Sequence, residues 1–398
     1  KAHPQSSGQS HRSVFATHEP VILLPPLSLY IHIPWCVKKC PYCDFNSHVA
    51  KDNIPEQEYV DALIEDLKAD LPWVQGRKLH SIFIGGGTPS LFSGSAIEAI
   101  LVATEALIGF QSDIEITLEA NPGTFEQNKF ADFHRAGINR LSIGVQSFDD
   151  SHLSRLGRIH DSSQALRAIS TAQSAGFDNF NIDLMHGLPD QTITQAKNDL
   201  RLAIDTGAMH ISWYQLTIEP NTEFFSRPPR LPVDDRLADI QQAGMSMLQE
   251  NQFEQYEVSA FALDGKRAVH NMNYWQFGDY LGIGAGAHGK ITIPEQSQVI
   301  RTAKTRQPDH YLARVGDALI TKKVIAIDEI ALEFMMNGLR LKEGVPATYF
   351  SQRTGISDDS IKMVVSRLQS QGLLEQDSSH YRTTRLGYQF LNSLLEHF

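Results

Sequence analysis

The sequence predicts an α/β protein: a parallel sheet with crossover helices, followed by a small, mainly helical unit. Three observations predict it. From residue 28 to about 250, short β-rich runs alternate six times with segments of helical period, and such alternation calls for parallel strands joined by helices. The runs are apolar along their length, as strands buried on both faces are. From about residue 325 the pattern changes to helix, helix, short hairpin, helix.

The six strand runs are LSLYIHI, ending at residue 33, then SIFI (81–84), DIEITLE (113–119), RLSIGV (140–145), NFNIDLM (179–185) and HISWYQL (210–216). Between them, one segment puts Ile97, Ile100, Leu101, Thr104, Leu107 and Ile108 on a single helix face. Another does the same with Ile193, Ala196, Leu200, Ala203 and Ile204. Ser, Thr, Asp and Pro stand where these helices should start. Periodicity leaves two architectures open, a closed or partial barrel and a doubly wound open sheet. After about 250 the pattern weakens. GDYLGIGAGAHGK (278–290) must make tight turns, and RTAKTRQPDHY (301–311) reads as a connection. EIALEFMMNGLRL, SDDSIKMVVSRLQSQGLL, HYRTT and LGYQFLNSLLEHF then read as a winged-helix-like module.

Composition bounds the function. The chain has 398 residues, 41% hydrophobic and 20% charged, enough for a main domain with an appendage. A net charge of −11 disfavours broad affinity for nucleic acid or anionic membrane. The helix SDDSIKMVVSRLQSQG carries only Lys362 and Arg367 as cations. The C-terminal module therefore reads as a lid or partner-docking surface, with no nucleic acid among the partners. The longest apolar candidate, VILLPPL, is short and broken by Pro25 and Pro26, so no membrane span is expected. Residues 1–20 are polar, without a secretory core, and read as loosely attached. A cytoplasmic location is the expectation. The odd, clustered cysteines agree with it, because they do not form a disulfide framework.

Parallel βα architectures gather their site at the C-terminal strand ends. Here those ends read IPWCVKKCPYC, GGGTP (85–89), EANPG (119–123), GVQSF (144–148), HGLP (186–189) after Asp183, and QLTIEPNT (215–222). Every cysteine in the chain lies in the first: Cys36, Cys40 and Cys43. Structural zinc wants four ligands, and a C-x-x-C redox pair leaves Cys36 unexplained. Three thiolates on one short loop suit three corners of an iron–sulfur cubane, with one iron left open. GGGTP lacks the ending of a phosphate-binding P-loop, and its glycines permit close approach to a ligand.

CVKKCPYC is the C-x3-C-x2-C signature of the radical S-adenosylmethionine (SAM) superfamily, which this chain resembles. LSLYIHIPWCVKKCPYCDFNSH, FIGGGTPS, EANPGT, GVQSF, NIDLMHGLPDQ, HNMNYW and GIGAGAHG resemble one branch of it. That branch holds the oxygen-independent coproporphyrinogen III dehydrogenases (HemN) and the related haem chaperones (HemW). The resemblance covers about residues 27 to 398. It implies a partial (βα)6 TIM-like barrel with a C-terminal, mainly helical domain. The divisions expected are a flexible segment 1–26, a barrel with its extension at 27–300, and the helical domain at 301–398. It implies that Cys36, Cys40 and Cys43 hold a [4Fe–4S] cluster whose open iron chelates SAM. Tyr30 and Tyr42 would pack around cluster and SAM. Gly86, Gly87, Thr88 and Glu119 would meet the SAM amino group. Gln146, Arg158 and Asp183 would contact its carboxylate and ribose.

Two features separate the branches. The dehydrogenases carry a further cysteine two positions after the third, where this chain has Phe45, and CDFNS resembles the chaperone version. HNMNYW (270–275) resembles the chaperones' HNxxYW motif, whose histidine is implicated in binding haem. The resemblance thus implies haem as a third cofactor, with His270 the leading iron ligand and His288 a weaker candidate. The partners expected are haem and haem-accepting clients such as respiratory enzymes, with peripheral contact to membrane-protein clients. The alternative function is radical decarboxylation of porphyrinogen propionates.

Overall fold

A computed structural model describes residues 22–50, 53–123 and 127–398. The expected loose segment at residues 1–20 lies outside them. The six predicted runs are all strands: β1 (Leu27–Ile33), β2 (Leu79–Gly86), β3 (Phe110–Ala120), β4 (Arg140–Gln146), β5 (Phe180–His186) and β6 (His210–Gln215). They pair in parallel, in chain order. Leu29, Ile31, Ile82, Ile84, Leu118, Ile143, Ile182 and Ile211 are buried along them, each worth about 1.5–3 kcal/mol when fully buried.

The helices between them begin at the residues that can cap them. Ser93 accepts from the Ala96 N–H. Asp161 and Thr192 form capping boxes with Gln164 and Gln195. The helix Gly94–Leu107 buries Ile97, Ile100, Leu101 and Thr104 of the six residues its period predicts, and Leu107 and Ile108 are half-buried. The helix Ile193–Asp205 departs from prediction at its first residue, for Ile193 is 38% exposed. Its buried face instead includes Asp199, which accepts from Ser147 Oγ and the Phe148 N–H, each at 2.7 Å. A carboxylate on an apolar face therefore fixes the loop after β4. Burial pushes this carboxyl up to about 7.

Beyond β6 the sheet grows at both ends. Strand β8 (Ala260–Ala262) pairs antiparallel with β6, and β7 (Glu254–Glu257) pairs antiparallel with β8. A seventh parallel strand, β9 (Asp279–Ile283), lies against β1. Strands β10 (His288–Ile293), β11 (Gln298–Lys304) and β12 (Leu319–Val324) follow antiparallel. The order β12-β11-β10-β9-β1-β2-β3-β4-β5-β6-β8-β7 leaves β12 and β7 as unjoined edges, so the barrel is partial. Residues 301–311, read from sequence as a connection, are partly strand. Arg301–Lys304 belong to β11, and a helix spans Pro308–Ala313. The sequence pattern hides the strand because Lys304 is a core residue there, its ammonium held by Asp66 (2.5 Å) and Asp70 (2.9 Å).

A second apolar cluster, with Phe334, Phe350, Leu368 and Leu394 at its centre, holds the C-terminal helices together. They include Ile330–Gly338 and Asp359–Ser370, together with Thr348–Thr354, a helix the sequence reading passed over. The unit is moored to the barrel side by Arg301 to Glu333 and by Arg340 to Glu257 at 2.9 Å. Among the described residues no helix is long and apolar enough to cross a membrane.

Candidate functional site

The cysteine loop leaves β1 at Ile33 and is pinched at its base, where Trp35–Cys36 pairs with His48–Val49. It is bound to the GGGTP turn by the Gly87 N–H to Ile33 O (2.8 Å) and the Thr88 N–H to Trp35 O (2.7 Å). This closeness is why glycine stands there. A Cβ on Gly87 would sit 2.5 Å from Trp35 O. One on Gly86, at φ +118°, would sit 2.6 Å from the His32 ring. Asn46 anchors the far side of the loop, donating to Ala285 O and Arg306 O, each at 2.9 Å.

All three cysteines are free, Cys36 buried and the other two half-buried. They line one cavity of about 270 Å³ at the strand ends, together with Tyr42, Gly86, Gly87, Thr88, Glu119, Gln146, Arg158 and Asp183. The structure thus brings together all but three of the site residues expected from sequence, Tyr30, His270 and His288. Tyr30 lines an adjoining compartment. His270 lies behind the wall, 1% exposed, hydrogen-bonded at both ring nitrogens to Ser81 Oγ and Tyr274 OH, each 2.9 Å away. Burial pushes its imidazole down to about 3.

Arg158 organises the cavity. Its Nη2 donates to Asn121 Oδ1 and Gly144 O at 2.7 Å, and its Nη1 reaches Cys40 Sγ at 3.6 Å. Its Nε is buried without a hydrogen-bond partner, a spare donor beside the thiols. Burial pushes the Cys36 and Cys43 thiols up. Gln146, at φ +71°, accepts from Tyr214 OH at 2.7 Å. Asp183 accepts from Ser142 Oγ (2.9 Å) and Asn181 Nδ2 (2.8 Å), and burial raises its carboxyl. Asn121, Ser142 and Tyr214 line the cavity but were not singled out in the sequence. Asn121 stood within EANPG, and its position beside a strand end was the available signal.

Glu119 is the most strained charge here. Burial and the nearby Asp183 push its carboxyl up to about 8, against a single donor, the Gly86 N–H at 3.1 Å. A folded-state value raised above the unfolded one means that the native state binds more protons between about pH 4.5 and 8. Stability therefore falls as pH rises through that window. Glu119→Gln is expected to raise the melting temperature of the ligand-free chain at pH 8 and to leave it nearly unchanged at pH 5. Thermal melts at the two pH values check this, and a lower melting temperature at pH 8 would refute it.

The donor set fits an iron–sulfur cubane with a small zwitterion beside it. Three soft thiol donors share one cavity with a guanidinium and two half-buried carboxyls. Among the described residues no three potential ligands surround a single ion position; a cubane spreads its thiolates over separate irons.

Residues 30–203 match the radical SAM superfamily, and residues 326–390 match the HemN C-terminal domain. The chain is 50% identical over 378 residues to the haem chaperone HemW of Escherichia coli, covering 95% of this chain and 99% of that one. It is 51% identical over 379 residues to HemW of Haemophilus influenzae, covering 94% and 98%. The structure of coproporphyrinogen III oxidase (HemN) from E. coli superposes with a TM-score of 0.79 over 94% of this chain and 90% of that one, at 23% identity, which establishes the shared fold. Membership of the superfamily implies a [4Fe–4S] cluster and SAM. With half its residues identical across nearly the full length of its relatives, the chain belongs to the HemW family of radical SAM proteins.

Proposed function

We propose that the chain is a haem carrier: it holds a [4Fe–4S] cluster and SAM at the strand ends, binds haem, and hands it to haem-dependent proteins. The observation that carries the reading is the convergence of three thiols with Glu119, Gln146, Arg158 and Asp183 on one cavity, in a chain half identical to proteins named haem chaperones. Cys36, Cys40 and Cys43 would hold the cluster, which when bound supplies an electron to SAM. Glu119 would face the SAM amino group, and the cost of ionising it there would be offset by that cation. Arg158 would give its spare N–H to the carboxylate, and Asp183 would take the ribose hydroxyls. Tyr42 would pack beside the cluster.

Phe45 favours the carrier over a decarboxylase. It stands where the resembling dehydrogenases carry an extra cysteine, and it is 63% exposed at the cavity mouth. Clients, respiratory enzymes among them, would dock on the C-terminal unit, where Met363 is 85% exposed on a solvent-facing helix. Those held in a membrane would be met at its surface. With a net charge of −11, the chain has no use for nucleic acid in this reading.

The deciding experiment supplies the reconstituted chain with SAM, a reductant and coproporphyrinogen III. No protoporphyrinogen IX is expected, whereas haem-loaded chain should pass haem to an apo-haem protein. Clear turnover without haem transfer would replace the carrier with the enzyme.

A further inference from the structure

The helix Asp234–Glu250 follows β6 and rests on it at Gly244, where a Cβ would collide with the Trp213 ring. Beside that contact lies a crevice of about 140 Å³. His186 at the end of β5, Trp213 of β6, Gln255 of β7 and Phe261 of β8 line it, with Gln241 and Met245 of the helix. It lies across β6 from the cluster cavity. Side chains alternate along a strand: Tyr214 reaches Gln146 in that cavity, and Trp213 turns to the helix.

Three polar atoms of the crevice residues are buried without a hydrogen-bond partner among the described residues: His186 Nδ1, Trp213 Nε1 and Gln255 Oε1. His186 and Trp213 are each 3% exposed. Buried polar groups are normally paired, because an unpaired one forfeits its hydration. The other N–H groups of two of these residues are paired. Gln255 Nε2 donates to Val258 O at 3.1 Å, and the Trp213 backbone N–H to Ser259 O at 2.8 Å.

The three atoms define what they can receive. The indole N–H only donates and the Gln255 oxygen only accepts, while His186 Nδ1 does either according to its tautomer. Burial pushes the His186 imidazole down to about 4, so it is neutral near pH 7. Among the described residues no side chain lining the crevice carries a charge at that pH. A matching ligand is therefore neutral and offers both an acceptor and a donor. The walls favour a flat ring. His186 and Trp213 lie with ring centroids 4.2 Å apart, and Phe261 and the Met245 thioether complete an aromatic and polarisable lining. A cavity of about 150 Å³ holds one benzene ring, so the space suits a single six-membered ring.

We propose that this crevice is a second small-molecule site, and that it takes a neutral six-membered ring with a lactam edge, of the pyrimidine or pyridone kind. The ring carbonyl accepts from Trp213 Nε1, and the ring N–H donates to Gln255 Oε1. The site stands independently of the carrier reading.

The test titrates uracil into the cluster-loaded full chain and follows the indole N–H resonance of Trp213 by NMR, identified as the one missing from Trp213→Phe. Wild type is expected to bind uracil with a Kd of about 1 mM or tighter, moving that resonance as its N–H gains an acceptor. Dimethyluracil, methylated at both ring nitrogens, keeps the carbonyls and loses the donors, and should bind at least about tenfold more weakly. In Gln255→Leu the two probes should bind alike, which separates the lost hydrogen bond from the bulk of the methyl groups. Met245→Phe, which fills the crevice from the helix side, should abolish the shift. A Trp213 resonance that stays still up to about 10 mM uracil would mean that the crevice takes water alone, and would overturn the proposal. Equal affinities of wild type for the two probes, or a saturating shift that survives Met245→Phe, would overturn it as well. The comparison of probes is made on wild type, so it decides the matter where a variant fails to fold.

Discussion

Cys40→Ser should yield a chain that folds normally and holds no [4Fe–4S] cluster. The two halves of that expectation come from different parts of the structure. Cys40 is half-buried, and its sulfur accepts from Arg158 Nη1 at 3.6 Å. A serine hydroxyl is smaller and accepts the same hydrogen bond, so the ligand-free variant should melt within about 1 kcal/mol of wild type, the range of a surface change. Cluster binding has no such tolerance. Iron in a cubane is held by soft thiolates, and a hydroxyl neither ionises at neutral pH nor matches their softness. The chain has three cysteines in all, so no neighbouring thiol can take the place of the lost one. Anaerobic reconstitution with iron and sulfide should give wild type about four irons per chain and a brown absorbance, and give Cys40→Ser neither. A variant that keeps the full iron content and colour would refute the assignment of the loop. A variant that loses both, but also melts far below wild type, would show that Cys40 serves the fold rather than the cluster. The same pair of readouts applies to Cys43, whose Sγ lies 3.8 Å from Ser47 Oγ. It discriminates least well at Cys36, where burial makes some loss of stability unavoidable.

What the sequence made legible follows from how local each signal is. The six barrel strands could be read because a run of four to seven residues is a local pattern, and each ends in Gly, Pro or a polar residue. The cysteines could be read because three thiols in one loop have few chemical uses. The antiparallel extension could not. Lys290, Thr292 and Lys304 look like surface residues, yet all three are buried in β10 and β11. Lys304 meets Asp66 across 238 residues of chain. No window on the sequence contains both partners, so the pairing that permits a buried lysine is invisible until the sheet is assembled. The same limit governed the histidines. The motif HNMNYW marked His270 by its neighbours in sequence, whereas its closure depends on Ser81, 189 residues away. His288 stood out little in the sequence because nothing beside it in the chain says that its ring makes no side-chain hydrogen bond among the described residues. Asp199 is the mirror case. It occupies the buried face of its helix, a position where periodicity expects an aliphatic residue, because it serves the loop after β4.

The buried cluster around Asp279 should carry the largest single share of stability among the polar contacts. Asp279 opens β9, the strand that extends the parallel sheet beyond β1, and is fully buried. Its carboxylate accepts from Lys290 Nζ at 2.9 Å, Arg77 Nη1 at 2.8 Å, and the Thr292 N–H and Oγ1 at 2.9 and 2.8 Å. Burial opposes its charge, but Lys290 and Arg77 outweigh burial and hold the carboxyl below the usual range. Asp279→Ala leaves Lys290, 2% exposed, without an anion. Removing one partner of a buried pair costs about 3–5 kcal/mol, and a fall in melting temperature of roughly 4–6 °C should follow. Asp279→Asn should lose most of this too. The amide keeps the size and some of the hydrogen bonds to Thr292, but it cannot neutralise two cations. The sign of the pH dependence separates charge from packing. A carboxyl whose folded value is depressed contributes stability above its unfolded value near 4, and loses it as pH falls through the folded one. The gap between wild type and Asp279→Asn should therefore be widest at pH 7 and narrow below about pH 4. A gap that persists unchanged into acid would mean that shape, and not the ion pair, joins β9 to β10. Replacing both partners with Leu, as Asp279→Leu with Lys290→Leu, should recover much of the loss, since a buried pair is worth little over well-packed apolar residues. Recovery would locate the cost in the orphaned ammonium. No recovery would locate it in the hydrogen bonds to Thr292 and Arg77, which the leucines cannot make.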